Sequence, residues 1–433
     1  LTVVFAGLQF AWAVEFAFGS PYLLALGLPP SLVSLVWLAG PLSGLIMQPV
    51  IGALSDSCTL RLGRRRPFII GAALCICLSL WVVAWSVEIA DSIKSIAAAI
   101  VAIIGFYALD FSINAVQATA RALVVDILPP DQQEAGTACA SRMINIGNVA
   151  GYFVGQADLQ AHFGWIAGSH VKILCVFAIL AMLSTTAITC VCVKEAPLSS
   201  IGMVVGLWHS ARALPSPIQQ IFNVQFFAWI GWFPFLFYNT SYVAGLYLTQ
   251  SKATSTSTHI KRSSGGGDGG EYPEEATRAG SFAMLVYAIV SLVLSWFLPL
   301  APSNGFVRGM RRIRQHLTLR RLWTASHVVF AVLMFSTFFI STVRGATFMI
   351  ATCGFCWAVT AWVPFSLIGE MVTADSQPTL RVNVRSDDSR SSSRNSNSSD
   401  EELTAGVVLG IHNVYVVCPQ FITAFMSSLI FAM

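Results

Sequence analysis

Eleven apolar segments, each near the length of a membrane-spanning helix, dominate this sequence. Their approximate ranges are 3–26, 31–54, 67–88, 96–127, 138–157, 171–193, 221–248, 279–300, 321–342, 345–368 and 404–431. A helix needs about 20 apolar residues to cross the hydrocarbon core of a bilayer. Lipid offers the backbone no hydrogen-bond partner, so such spans must be helical. The pattern predicts an all-α integral membrane protein that is embedded in a lipid bilayer.

The composition supports this class and excludes others. Of the residues, 55% are hydrophobic and 11% charged, whereas soluble domains carry about 25% charged residues. A net charge of +4 is too small to indicate nucleic-acid binding. The sequence contains no nucleophile elbow, zinc-protease helix or phosphate-binding glycine loop. We therefore expect no catalytic residue, no metal site and no cofactor, and nothing indicates an oligomeric state.

Two arginine-rich loops set the expected orientation. One lies between the second and third segments (61–66) and the other between the eighth and ninth (308–321). Both follow an even-numbered segment and therefore lie on the same side, which the positive-inside rule places in the cytosol. This orientation also predicts a cytosolic N-terminus. We expect the plasma membrane, with the vacuolar membrane as the alternative.

The polar stretches divide the chain into parts. Range 1–193 is expected to form an N-terminal half of six helices, 194–219 a cytosolic linker, and 220–433 a C-terminal half. The C-terminal half contains two low-complexity loops, 250–276 outside and 373–402 in the cytosol. Few apolar residues occur in these loops, so neither can bury a core of its own.

The fourth segment carries a polar stripe. Asp110, Asn114, Gln117 and Arg121 fall on one side of a helix at 100° per residue. An ionisable group in a bilayer costs about 2.5–3.5 kcal/mol, so such groups mark functional sites. Amides and a guanidinium suit sugar hydroxyls, so we predict that Asn114, Gln117 and Arg121 bind substrate. Asp110 can exist in two charge states and is the predicted proton carrier, with Glu15 as a second candidate.

Structural readings remain open for these residues. Asp110 and Arg121 could hold the bundle together, although about 16 Å of helix rise prevents them from pairing directly. Glu15 could instead be a structural partner of another charge. Asn148 and Trp229 are further candidates for substrate binding. Interhelical bonding is the commoner role of a membrane Asn, and packing that of a membrane Trp.

A basic motif follows the second segment and is the candidate conformational gate. Its members are Gly52, Asp56, Arg61, Gly63, Arg64, Arg65 and Arg66. Gly52 allows two helix ends to approach closely. Asp56 can accept from a helix N-terminus or pair with an arginine. For Arg65 alone, positive-inside anchoring is the expected role.

This motif, GALSDSCTLRLGRRRPFI, resembles the loop motif of the major facilitator superfamily. In detail it resembles sucrose/proton symporters of the glycoside–pentoside–hexuronide cation symporter family. The resemblance extends through GLQFAWAVEFAFGSPYLLALGLP, WLAGPLSGLIMQPVIG, QFFAWIGWFPFLFYNT and EEATRAGSFAMLVYAIVSL. At Glu15 the sequence resembles the fungal and animal branches of this family, because plant members tend to carry Gln at that position.

The resemblance implies two six-helix halves that rock about a central site, so a twelfth helix would be missing after Met433. It also implies proton coupling at Asp110 and sucrose binding at Arg121. The expected function is proton-coupled symport of a disaccharide, either sucrose or maltose or another α-glucoside. The alternative is a non-transporting sugar sensor that signals through 373–402.

Overall fold

The computed structural model describes residues 1–28, 36–90, 95–156, 163–165, 169–195, 214–255, 274–300, 318–375 and 405–432. Within these ranges the chain forms eleven long helices and no strand. They are α1 (Val4–Ala25), α2 (Ala39–Asp56), α3 (Arg66–Ala84), α4 (Ser95–Ile127), α5 (Gln133–Gln156), α6 (His170–Cys192), α7 (Ser216–Ser255), α8 (Glu274–Phe297), α9 (Leu319–Ser336), α10 (Val343–Thr360, continued by Val363–Asp375) and α11 (Ala405–Ala432). Each overlaps one of the eleven apolar segments.

The helices differ in how strongly each satisfies the requirements for crossing a membrane. Among the described residues, five pass on length and hydropathy alone: α3, α6, and the main parts of α4, α10 and α11. α7 makes a sixth if its two parts, which meet at 43°, count as one span. Pro234 lies inside α7, and proline removes a helical hydrogen bond, which gives a physical reason for the bend.

Several helix ends differ from the expected ones. α7 continues to Ser255, so the predicted external loop 250–276 begins later than expected. The last part of α10 reaches Asp375, so the predicted loop 373–402 also begins later. Polar residues extend both helices beyond their apolar cores, and hydropathy alone cannot detect such extensions. The rest of these two loops lies almost entirely outside the described residues.

Packing follows two groups of helices. α1 packs on α5 and α6, α3 on α4 and α6, and α2 on α4. Similarly α7 packs on α8 and α11, and α8 on α10. Contacts of α2 with α11, and of α5 with α8 and α10, join the groups. The predicted division at 194–219 stays a prediction, since 196–213 lie outside the described residues.

Outward faces of the bundle are apolar. On α3, Leu74, Leu78 and Trp81 are exposed, whereas Ile69 and Ile76 are fully buried. A water-soluble helix would show charge on its outer face. An apolar outer face is what a lipid environment requires.

One end of the bundle is basic, and we call it the arginine-rich end. It comprises Arg61–Arg66 between α2 and α3, together with Arg320 and Arg321 at the start of α9. Leu322 of α9 packs in the same cluster as Val125 of α4, which brings α9 to this end. The remaining arginines predicted for the second loop lie outside the described residues.

Candidate functional site

The polar stripe of α4 faces the interior of the bundle. Asp110 and Asn114 are both 3% exposed, whereas Ile100 and Ile104 on the same helix are 52% and 62% exposed. The 3.6-residue period explains this division, because it separates the stripe from the lipid-facing residues. The four residues were expected to share one side of the helix, and Asp110 and Asn114 lie on its inward side.

Two carboxyl groups meet at the N-terminal end of the stripe, where Asp110 lies. The side chain of Glu15 on α1 is hydrogen-bonded to that of Asp110, and Trp12 hydrogen-bonds Asp110 as well. Glu15 is 4% exposed, and its Oε2 atom has no hydrogen-bond partner among the described residues. No lysine, arginine or histidine of the described residues forms an ion pair with either carboxyl group. Two carboxyl groups this close would repel each other if both were charged.

The two amides of the stripe are held by α2. Gln48 Nε2 donates to Asn114 Oδ1 at 2.8 Å and to Gln117 Oε1 at 2.7 Å. Asn114 Nδ2 in turn donates to Ser43 Oγ at 2.8 Å. Nearby, Asn413 of α11 donates to the Gly44 carbonyl at 2.7 Å. These amides form a network across helices, and each bond is one that a sugar hydroxyl could replace.

Arg121 lies in a small cavity between the two groups of helices. Its guanidinium carbon lies 3.6 Å from the ring centroid of Phe365 on α10 and 5.6 Å from that of Phe5 on α1. In the part of the chain that the structure describes, no carboxylate pairs with Arg121. Its partners are therefore aromatic faces. The cavity measures about 10 Å³, far below the 300 Å³ or more of an open ligand site.

The two remaining candidates for substrate binding lie on other helices. Asn148 on α5 accepts from Gln9 Nε2 at 2.9 Å, which is the interhelical bonding that the sequence left open. Trp229 on α7 packs against Phe233 and Trp357, with ring centroids 5.0 and 6.1 Å apart. The Trp229 indole nitrogen has no hydrogen-bond partner among the described residues.

Arg65 is the centre of the gate motif, and the expectation of simple anchoring is wrong. Its side chain is fully buried and bonds Asp56, Ser55 and Asp126, the last at 2.7 Å. Arg64 also pairs with Asp126, at 2.8 Å. Burial by itself would lower the pKa of Arg65, but the carboxylates of Asp126 and Asp56 raise it above the ordinary value. Arg65 is therefore a permanent charge that ties α2, α3 and α4 together.

Asp56 extends this cluster to α11. Its Oδ2 atom accepts a hydrogen bond from the Val407 backbone N–H at 3.0 Å, in the first turn of α11. Both predicted roles of Asp56, binding an arginine and a helix N-terminus, are thus present together. Gly52 of α2 faces Gly406 of α11 so closely that a Cβ at Gly406 would lie 2.6 Å from the Gly52 carbonyl oxygen.

The rest of the motif shapes the loop. Gly63 has φ +103°, a conformation that favours glycine. Glu195 accepts from the backbone N–H groups of Arg65 and Arg66 at 3.0 Å and so caps α3. The Arg66 guanidinium donates to the Cys190 carbonyl at 2.8 Å. Arg61, in contrast, is exposed and forms no ion pair with the described residues.

Sequence reasoning missed several partners. Gln48 is a polar residue in an apolar segment, so the rule that identified Asn114 could have identified it too. Trp12 and Glu195 offered no such signal, because a tryptophan is ordinary in an apolar segment and a glutamate is ordinary in a polar one. Asp126 of α4 lies apart from the stripe and belongs to the Arg65 cluster.

Comparisons with known proteins agree with this architecture. A family model described as MFS/sugar transport protein matches residues 8–199. The general alpha-glucoside permease of Schizosaccharomyces pombe is 32% identical, over all of this chain and 86% of its own length. Sucrose transport protein SUC3 of Arabidopsis thaliana is 26% identical, with 86% of this chain and 76% of that protein covered. Sucrose transport protein SUT5 of rice, Oryza sativa subsp. indica, is 28% identical over 77% of this chain and 64% of its own length.

Solved structures show the same fold. A bacterial homologue of the iron transporter ferroportin, in an outward-facing state, has a TM-score of 0.62 at 10% identity, covering 99% of this chain and 91% of that one. The major facilitator superfamily transporter FucP, in the outward conformation, has a TM-score of 0.52 at 11% identity and covers 97% of both chains. The chain is an integral, multi-pass, all-α membrane protein, and it belongs to the sucrose and α-glucoside transporters of the major facilitator superfamily.

Proposed function

We propose that this chain carries a disaccharide across its membrane together with a proton, by alternating access. The family consists of transporters rather than enzymes. Sucrose is the first candidate cargo, and maltose or another α-glucoside follows, because the relatives bear both kinds of name. The observation that carries the coupling is the contact between the buried carboxyl groups of Glu15 and Asp110.

The proton step follows from the surroundings of this pair. A proton from outside completes the neutralisation of the two carboxyl groups, which are buried and form no ion pair with the described residues. A neutral pair lets the bundle close around it at little electrostatic cost, whereas a charged pair would be costly to enclose. Inward transfer of one positive charge releases about 2.3 kcal/mol per 100 mV of membrane potential.

The sugar step uses the rest of the α4 stripe. Sugar hydroxyls both donate and accept, so they can replace the bonds that Gln48 makes to Asn114 and Gln117. Arg121 supplies up to five donors and keeps its charge. Once the cavity widens, its N–H groups would bind sugar hydroxyls in place of the contact with Phe365. Sugar and proton would thus bind to one helix, and the state of each would influence the other.

Alternating access requires the arginine-rich end to close and open in turn. There the Arg65 cluster and the Gly52–Gly406 contact hold α2 against α11. Opening this end requires the Asp56 bond to the first turn of α11 to break. The neutral, loaded site would supply the free energy for that change through its own tighter contacts.

Proteoliposomes that contain a pH-sensitive dye test the proposal. Adding sucrose or maltose should carry protons inward, and sugar uptake should rise as the external pH falls. Sorbitol serves as the control: adding it should cause no proton movement, and sorbitol itself should not be taken up. Uptake of sugar without proton movement would refute the coupling, and no uptake of either disaccharide would refute the transport function.

A further inference from the structure

Three buried polar atoms without a partner among the described residues belong to one aromatic cluster. They are Trp229 Nε1 on α7, Tyr287 Oη on α8 and Trp357 Nε1 on α10, none of which has a hydrogen-bond partner among the described residues. Tyr287 is only 3% exposed. Proteins rarely leave buried polar groups unsatisfied, and each exception calls for a physical explanation.

The rings form a corner. The Trp229 and Trp357 centroids are 6.1 Å apart with planes at 78°, and Tyr287 lies 6.4 Å from Trp357 at 50°. Trp232 backs this corner: its ring stacks on Phe330 at 4.2 Å and meets Trp357 at 5.2 Å. The indole planes are therefore fixed by packing rather than by hydrogen bonds.

This corner lies where the two groups of helices meet. Tyr152 of α5 packs against the same cluster. Two turns of α5 before it, Asn145 accepts from Ser291 Oγ of α8 at 2.9 Å, which joins α5 directly to α8. A ligand bound between the groups would therefore meet this wall on the side of α7, α8 and α10.

The chemistry of the corner fits a sugar ring. An indole N–H only donates, and a tyrosine hydroxyl donates and accepts. A pyranose presents hydroxyls at its edge and an apolar C–H face that can lie on an aromatic ring. A lipid chain would pack against the same rings but would leave all three polar atoms without a partner.

We propose that Trp229, Tyr287 and Trp357 form the second wall of the sugar site, opposite the α4 stripe. One pyranose ring of the disaccharide lies in this corner, with its hydroxyls bonded to the two indole N–H groups and the phenol. The inference rests on the proposed transport of a disaccharide and adds two residues, Tyr287 and Trp357, to that site.

The variants Trp229→Phe, Tyr287→Phe and Trp357→Phe each remove one polar atom and keep an aromatic ring. Trp323→Phe is the matched control. Its Nε1 is also without a partner among the described residues, but Trp323 belongs to a different cluster, with Leu322 and Trp362. Sucrose and maltose affinities would be measured by calorimetry on purified protein, and KM and kcat by uptake into proteoliposomes.

Each of the three variants should raise Kd and KM about threefold to tenfold, as expected for one lost hydrogen bond. Proton coupling should stay intact, and Trp323→Phe should bind like wild type. A monodeoxy disaccharide that lacks the matching hydroxyl should bind wild type and the corresponding variant equally well.

Two results would overturn the inference while leaving the proposed function in place. One is wild-type Kd and KM in all three variants, in a protein that still transports the disaccharide. The other is a loss confined to kcat and thermal stability, which indicates a packing role. If the wild-type protein neither bound nor transported a disaccharide, that result would refute the proposed function itself. Trp229→Phe, at the less buried position, keeps the test valid if Tyr287→Phe does not fold.

Discussion

Arg65 is a single residue that binds side chains from several helices of this fold. Its guanidinium is fully buried and joins the carboxylates of Asp56 and Asp126, with a weaker contact to the Gly52 carbonyl at 3.4 Å. Breaking a buried ion pair by removing one partner leaves an unpaired charge, which is strongly destabilising. Arg65 is therefore essential to the stability of the arginine-rich end.

Arg65→Gln should lower the free energy of unfolding by roughly 3–5 kcal/mol, because both carboxylates lose their main partner. Arg61→Gln, in the same loop but exposed, should change it by less than about 0.5 kcal/mol. Thermal unfolding in detergent measures both. Equal effects of the two substitutions would mean that Arg65 is only an anchor.

Single residues were predictable where their chemistry was unusual for their surroundings. Asp110 and Glu15 were identifiable because a carboxyl in an apolar segment is costly, and the structure brings them together. The bond from Trp12 to Asp110 was not predictable, since tryptophan is ordinary in such segments. The role of Arg65 was also hidden, because an arginine in a basic loop looks the same whether it is buried or exposed.

At the scale of elements, α2 and α11 cross in close contact near the arginine-rich end. Gly406→Ala would place a Cβ 2.6 Å from the Gly52 carbonyl oxygen and 2.7 Å from Asp56 Oδ2. The two helices must then separate, which should favour states open at this end. A shift of about 1.4 kcal/mol would raise the open population about tenfold.

This opening can be measured with a cysteine at Thr137, which lines the Arg121 cavity. In a background without the native cysteines, a membrane-impermeant maleimide should label it faster from the arginine-rich side in the Gly406→Ala protein. Gly71→Ala is the matched control, because a Cβ there meets nothing within 4 Å. It should leave labelling unchanged and stabilise α3 by about 0.5–1 kcal/mol. Unchanged labelling in Gly406→Ala would show that the crossing does not control closure.

Helices were predictable to within a few residues where apolar runs end at charged residues or prolines. α4 illustrates this, since its predicted range 96–127 and its observed range Ser95–Ile127 almost coincide. α7 illustrates the opposite case. Its last turns are polar, so hydropathy placed the end before Ser255. Which helices cross each other could not be predicted, because the pairing of Gly52 with Gly406 depends on contacts between segments far apart in the sequence.

For the whole molecule, the described contacts show a bundle that is closed at the arginine-rich end. Besides the Asp56–Val407 bond, the Trp362 indole N–H donates to the Glu134 carbonyl at 3.2 Å, which joins α10 to α5. The cavity at Arg121 is correspondingly small. The class of fold was predictable from eleven apolar segments and one loop motif. The closed state was not, since it depends on the balance between contacts in two arrangements of the same helices.

Accumulation of sucrose against its gradient most directly tests the claim that Glu15 and Asp110 share the transported proton. Proteoliposomes with an imposed inward proton gradient would contain wild type, Asp110→Asn or Glu15→Gln, with sugar-for-sugar exchange measured in parallel. Wild type should accumulate the sugar, whereas Asp110→Asn should lose accumulation and keep exchange, because a permanently neutral amide binds no proton. Glu15→Gln should weaken accumulation and shift its pH dependence. Full proton-driven accumulation by Asp110→Asn would contradict the account.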